Sequence, residues 1–199
     1  MNHKLSVLIC QKLAKHGIIS KDIEEVYIYG FELILSFLIS VSIILTIGIF
    51  ISKIFETIVF LVLFILIRQL TGGFHANTYA KCQIYTVSFY LCVILLSSRF
   101  TPTTILYALT LVVSALVIIM IGPIESPHKP LTGNQKKKNK LWGLGVFLVT
   151  GVSGMLVYKI APTIHNTIFY SLLLIIILMI IPYTERRIKN VRCNRKNVC

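Results

Sequence analysis

The fold class is decided by the stretch FELILSFLISVSIILTIGIFI, residues 31–51, which is apolar almost throughout. Its only charged residue is Glu32, at the edge of the stretch. A membrane hydrocarbon core about 30 Å thick needs about 20 consecutive apolar residues in a helix. The stretch therefore predicts a transmembrane helix.

Five further apolar stretches follow along the chain. They are Ile54–Ile67, Ile84–Ser98, Thr103–Gly122, Leu141–Ile160 and Thr163–Pro182. The two shortest flank the polar segment 68–83, so either all six stretches span the membrane, or four span it and the two short ones are re-entrant. We therefore predict an all-α, polytopic integral membrane protein.

Composition supports this interpretation. The 199 residues are 56% apolar and only 14% charged, with a mean hydropathy of +0.83. An ordinary soluble domain is about 45–50% apolar and about 25% charged. Disordered chains are poor in apolar residues, and a soluble chain this short has too much surface to bury so many. Composition therefore excludes disorder and disfavours a soluble enzyme.

The net charge of +13 arises from 20 Lys and Arg residues against 7 Asp and Glu. In a soluble protein this excess would suggest nucleic acid, but here the basic residues lie between apolar stretches, so no nucleic acid partner is expected. With six spans, Lys53, Arg99 and Lys159 fall on one side of the membrane and the other 17 on the opposite side. Positive residues favour the cytoplasmic side. Both termini and the segment 68–83 are therefore predicted to be cytoplasmic, in the cell membrane.

The chain divides into an amphipathic region over residues 1–30, a transmembrane domain over 31–182 and a basic tail over 183–199. Apolar residues recur at helical spacing in the first region, between lysines: Leu5, Leu8, Ile9 and Leu13. This pattern predicts an amphipathic helix on the inner leaflet, acting either as a membrane anchor or as a docking site for a substrate. Ser20 is a good cap for a second helix that could run into the first span.

The polar segment between the second and third spans carries the residues suited to chemistry. It includes RQLTGGFHANTYAKC, residues 68–82. Gly72 and Gly73 permit a sharp turn ahead of His75, and Asn77 is a plausible cap for the next helix. That would place Cys82 in or just after the first turn. The positive end of a helix favours a thiolate, which is the nucleophile in covalent catalysis.

The spacing of His75 and Cys82 sets a constraint. In one continuous helix they would lie about 10 Å apart along the axis, too far for a nucleophile–base contact of about 3 Å. The pair works only if His75 lies on the loop and folds back over the helix end. Spacing alone leaves open that Cys82 is a small buried apolar residue. The two residues supply too few ligands for structural zinc even if His128 joins them, so no metal or cofactor is predicted.

A second informative segment is the basic, proline-rich stretch 123–140. It begins with PIESPHKPL, residues 123–131, which follow Gly122 and contain three prolines that prevent a helix. A run of lysines follows: Lys136, Lys137, Lys138 and Lys140. The segment either fixes membrane orientation or offers a basic surface to an acidic peptide or anionic lipid.

Taken together, these residues resemble the signature of the accessory gene regulator protein B (AgrB) family. The similarity rests on Arg68, Gly72-Gly73-Phe74-His75-Ala76 and Cys82, on residues 122–131, and on Tyr29-Gly30-Phe31-Glu32. Members of this family are bacterial integral-membrane cysteine endopeptidases of quorum-sensing systems. The resemblance implies that His75 and Cys82 are catalytic and that Arg68 is the family's basic residue. Glu125 stands where an acidic residue is expected, whereas His128 replaces an expected Asn.

The resemblance also implies a substrate, an AgrD-like propeptide. The C-terminal part would be removed through a thioester acyl-enzyme, and the remainder would cyclise to a thiolactone or lactone autoinducing peptide. Other implied partners are membrane lipid and a second copy of the chain. Supporting or substrate-binding roles are expected for nine residues: Arg68, Gly72, Gly73, Asn77, Glu125, Lys129, Lys136, Lys137 and Lys138.

Two non-enzymatic alternatives stay open. A small transporter would need ionisable residues at mid-membrane, and only Glu56 is remotely placed for that. A scaffold that recruits a partner to the membrane would tolerate substitution of Cys82.

Overall fold

The computed structural model describes residues 2–15, 24–71, 79–122 and 132–196, and leaves out the side chains of residues 2–4, 24, 68, 71, 79, 80 and 185–196. The described ranges contain seven helices: α1 (Asn2–Lys15), α2 (Glu24–Phe50), α3 (Ile54–Thr71), α4 (Tyr79–Arg99), α5 (Thr104–Ile121), α6 (Gly133–Val157) and α7 (Pro162–Lys196). No strand occurs in the described ranges. The prediction of an all-α membrane protein is confirmed.

Five of these helices are long and apolar enough to cross a membrane. Their spans are Glu25–Phe50, Lys81–Arg99, Thr104–Ile121, Gly133–Val157 and Pro162–Thr184. The apolar part of α3, Ile54–Ile67, is shorter. At a rise of about 1.5 Å per residue, all 18 residues of α3 extend about 27 Å, slightly less than the hydrocarbon core. By length, α4 can cross the membrane, whereas α3 is the helix that fits the re-entrant alternative better.

The N-terminal region is helical, as predicted, and α1 packs against α2. Among the described side chains of α1, Ser6 and Cys10 are buried, whereas Leu5 and Leu8 are exposed. The apolar face of α1 is therefore turned outward, where lipid can cover it. The second helix runs without a break into the first span, also as predicted, although its expected cap Ser20 lies outside the described residues.

Two helices extend beyond their predicted bounds. Helix α6 begins at Gly133, so Lys136–Lys140 lie in its first turns and not in a loop. The backbone N–H of Thr132 donates to Oε1 of Gln135 at 3.1 Å, half of a capping box that starts the helix early. Helix α7 continues through Pro182 to Lys196. Beyond the proline, the Thr184 hydroxyl donates to the carbonyl groups of the preceding turn, which helps the helix continue.

Helix α7 is the central helix of the bundle. Of its membrane window 61% is buried, against 17–22% for the four other long spans. It packs against α3, α4, α5 and α6. The four largest fully buried side chains of the described residues come from four other helices, α4, α5, α3 and α6: Tyr90, Tyr107, Phe60 and Phe147.

Short connections join the helices at one end of the bundle, which we call the turn end: residues 51–53, 100–103 and 158–161. In the first of them Ser52 has φ 55° and the Lys53 N–H donates to the Gly48 carbonyl at 2.8 Å. The opposite end, the loop end, holds the end of α3 and the starts of α4 and α6. Segments 72–78 and 123–131, which carry most of the motif residues, join helices there and lie outside the described residues.

Candidate functional site

The described residues contain only part of the predicted site. His75, Gly72, Gly73, Asn77, Glu125, Lys129 and His128 lie outside them. Arg68 belongs to the last turn of α3, but its side chain is not described. The contact between His75 and Cys82 therefore stays a prediction. The structure does place Cys82, its neighbours and the lysines of α6.

Cys82 is the fourth residue of α4, where the helix-cap pattern predicts it. Its side chain is half-buried and its thiol is free. Its carbonyl accepts a hydrogen bond from the Thr86 hydroxyl at 2.8 Å. The thiol thus lies at the positive end of α4, within reach of a substrate yet partly shielded from solvent.

The residue after Cys82 joins α4 to α2. The side-chain nitrogen of Gln83 lies 3.3 Å from the carbonyl oxygen of Ser36 and 3.4 Å from its hydroxyl oxygen. A carbonyl can only accept, so this geometry assigns the amide nitrogen of Gln83 as the donor. Ser36 is buried, and its carbonyl also accepts from the Ser40 hydroxyl at 2.9 Å. This contact fixes the first turn of α4 against α2.

Sequence reasoning did not single out the face of α2 that carries this contact. Glu32, Ser36 and Ser40 are four residues apart, so they share one face of the helix. Glu32 is 9% exposed and Ser36 is 8% exposed. Polar residues in a membrane helix usually face the bundle interior. The regular spacing of these three residues in an apolar stretch could therefore have indicated the buried polar face of α2.

The loop end carries several exposed lysines. Lys81, next to Cys82, is exposed, and so are Lys136, Lys137 and Lys138 in the first turns of α6. Because α4 and α6 both start at this end, the bundle brings a free thiol and a basic helix to the same side. A peptide with acidic residues would be attracted there.

A second polar group of residues lies at the turn end and has a structural role. The side-chain nitrogen of Asn166 donates to the Ser97 carbonyl at 2.9 Å and to the Thr101 hydroxyl at 3.2 Å. His165 Nδ1 lies 2.8 Å from the carbonyl oxygen of Gly154, in the last turn of α6 where carbonyls lack helical partners. The group joins the ends of α4 and α6 to the start of α7.

The position of Glu56 weakens the alternative of a transporter. Glu56, the residue that a transporter would use, lies in the first turn of α3 and pairs with Lys53 Nζ at 3.4 Å. It therefore stands near the turn end and not at mid-membrane.

Comparisons with known proteins agree over nearly the whole chain. The family model described as accessory gene regulator B matches residues 6–183. An AgrB-like protein of Clostridium perfringens (strain SM101 / Type A) is 23% identical over 186 residues, which cover 87% of each chain. An AgrB-like protein of Clostridium beijerinckii is 29% identical over 181 residues, 88% of this chain and 85% of the relative. No solved structure matches.

Proposed function

The chain belongs to the accessory gene regulator B family, and on that premise we propose that it is a membrane-embedded cysteine endopeptidase. Its substrate is an AgrD-like propeptide, which it cleaves and cyclises to a thiolactone or lactone autoinducing peptide. The observation that carries the proposal is Cys82, a half-buried free thiol in the first residues of α4, preceded in sequence by Gly72-Gly73-Phe74-His75-Ala76.

In the proposed reaction, the Cys82 sulfur attacks the scissile carbonyl carbon while His75 takes up the thiol proton. The tetrahedral intermediate collapses, the C–N bond breaks, and the amine of the C-terminal fragment leaves with the proton from His75. A thioester acyl-enzyme remains. In this proposal the oxyanion is stabilised at the start of α4, because the first N–H groups of a helix have no acceptor within the helix itself.

Ring closure follows by exchange. A thiol or hydroxyl within the substrate attacks the thioester, loses its proton to His75, and releases Cys82 as the leaving thiol. Exchange of one thioester for another changes the free energy little. The step that closes a thiolactone ring therefore needs no external energy source. Water must be excluded to prevent hydrolysis, and the partial burial of Cys82 supports this.

The proposed orientation places the loop end in the cytoplasm. Lys53, Arg99 and Lys159 are the basic residues assigned to the outside, and the other 17 of the 20 lie on the cytoplasmic side. A cytoplasmic site keeps Cys82 reduced and exposes it to a newly made propeptide. Membrane lipid and a second copy of the chain are further proposed partners, and no cofactor is required.

Trapping the acyl-enzyme tests the proposal. The protein in lipid nanodiscs is mixed with an AgrD-like propeptide whose internal ring-forming Cys or Ser is replaced by alanine. We expect a thioester adduct on the peptide that contains Cys82, detected by mass spectrometry and removed by hydroxylamine, because the second step cannot occur. The unmodified propeptide should yield cyclic product instead. Formation of cleaved fragment without a Cys82 adduct would contradict the mechanism, and no cleavage would favour a scaffold.

The lysines of α6 give a second prediction about this function. Replacing Lys136, Lys137 and Lys138 together with glutamine should raise KM for an acidic propeptide about tenfold with kcat unchanged, because each exposed charge contributes up to about 1 kcal/mol. The difference from the unmodified protein should shrink at high salt, which screens exposed charges.

Lys159→Gln is the matched control, since this exposed lysine lies at the turn end. Single cysteines introduced at Ser52 and Asn134, labelled from either side of the membrane, check that the orientation is unchanged. An unaltered KM in the triple variant would refute substrate binding by these lysines.

A further inference from the structure

We propose that Gln83 and Ser36 form a clasp that sets the rotation of Cys82 and so determines the acylation rate. The clasp is the contact of the Gln83 amide with the carbonyl and hydroxyl oxygens of Ser36, at 3.3 and 3.4 Å. Gln83 and Ser36 act as positioning residues, because they act through Cys82. The effect on rate rests on the proposed function of Cys82, whereas the effect on side-chain orientation does not.

The geometry of the α-helix couples the clasp to the thiol. Successive residues are rotated by about 100° and separated by about 1.5 Å along the axis. When the Gln83 side chain is held against α2, the Cys82 side chain projects from α4 in a direction about 100° away from that of Gln83. It also lies one residue nearer the start of the helix. A small rotation of α4 would move the thiol and the amide together. The clasp therefore fixes the direction in which the thiol points.

The clasp joins α4 to another helix at the residue directly after Cys82. It joins residues 47 positions apart in sequence, and its acceptor Ser36 is 8% exposed. A polar contact between membrane helices is a common way to fix their register.

Reaction rates are sensitive to such positioning. A displacement of about 1 Å at a reacting atom can cost about 100-fold in rate. Loss of the clasp should therefore lower kcat more than it changes KM, since substrate contacts elsewhere on the protein are retained. A residue that only stabilised the fold would lower the amount of active protein and leave kcat per folded molecule unchanged.

The test compares Gln83→Met, which keeps side-chain length and removes the donor, with Ser36→Ala, which keeps the backbone acceptor. We expect kcat to fall about 10- to 100-fold in Gln83→Met and only a few-fold in Ser36→Ala. The double variant should match Gln83→Met, because once the Gln83 donor is absent the Ser36 hydroxyl has no part of the clasp left to lose. Ser88→Ala on α4 and Ser42→Ala on α2, both exposed, are matched controls expected to retain full kcat.

A spectroscopic measurement separates this inference from the proposed function. In full-length protein with Cys10, Cys92, Cys193 and Cys199 replaced by alanine, a nitroxide attached to Cys82 reports its mobility. The clasp predicts a more mobile label in Gln83→Met and an unchanged label in Ser88→Ala, whether or not a propeptide is cleaved. An unchanged label in Gln83→Met, or an unchanged kcat beside a more mobile label, would overturn the inference. Failure of the unlabelled parent protein to cleave would count against the proposed function alone.

Discussion

Cys82→Ala is expected to reduce propeptide cleavage by about 1,000-fold or more, because it removes the atom that forms the acyl-enzyme. Cys82→Ser should be almost as severe, since a hydroxyl is far less nucleophilic than a thiolate near neutral pH. His75→Ala should cost about 10²–10⁴-fold, the usual contribution of a positioned general base. Release of the C-terminal fragment, measured over time by mass spectrometry, gives these rates directly.

The chain provides a close control for this prediction. Cys92 lies on the same helix, ten residues after Cys82, and is exposed on the outside of the bundle. Cys92→Ala should therefore leave the rate unchanged. Equal cleavage by Cys82→Ala and the unmodified protein would show that Cys82 is not the nucleophile. If only Cys92→Ala lost activity, the nucleophile would lie elsewhere on α4.

Gly154→Ala is expected to destabilise the folded bundle by about 3 kcal/mol, near the upper end of the range for overpacking. A Cβ at this position would overlap the Tyr107 hydroxyl and come within 2.9 Å of Ile168 Cγ2. Neither neighbour can move aside easily. Tyr107 is completely buried and donates to the Gly151 carbonyl at 3.0 Å, and Ile168 is 7% exposed.

Unfolding in mixed micelles titrated with sodium dodecyl sulfate measures this free energy. Gly145→Ala is the matched control on the same helix, because a Cβ there meets no heavy atom within 4 Å. It should be neutral or stabilising by about 0.5–1 kcal/mol, the ordinary gain for alanine over glycine in a helix. Equal stability of the two variants would contradict the close packing of α6 against α5 and α7.

Much of the fold follows from hydropathy alone. The unbroken apolar stretch after Phe31 predicts α2, and the break at Gly72-Gly73 predicts a new helix that places Cys82 near its start, which the structure confirms. Hydropathy places the start of α6 too late, at Leu141, because a run of lysines is typical of a loop. In the structure the helix begins at Gly133, where Thr132 and Gln135 cap its first turn.

Contacts between helices could not be predicted in the same way. Periodicity shows which face of α2 carries Glu32 and Ser36, but not which helix packs against that face. The pairing of Ser36 with Gln83 depends on how deeply each helix is inserted and how it is rotated. Likewise, Gly154 in the sequence gives no sign that Tyr107 and His165 converge on its backbone.

The central position of α7 has a consequence for how the protein is made. Of the seven helices, α7 leaves the ribosome last, yet α3, α4, α5 and α6 all pack against it. The earlier spans can enter the bilayer in turn, but their shared interior stays incomplete until α7 arrives. During that interval Ser97 and Gly154 lack the side-chain donors that α7 supplies. Membrane insertion and tertiary assembly are therefore separate stages, and a nascent chain stalled before α7 would be a natural target for membrane proteases.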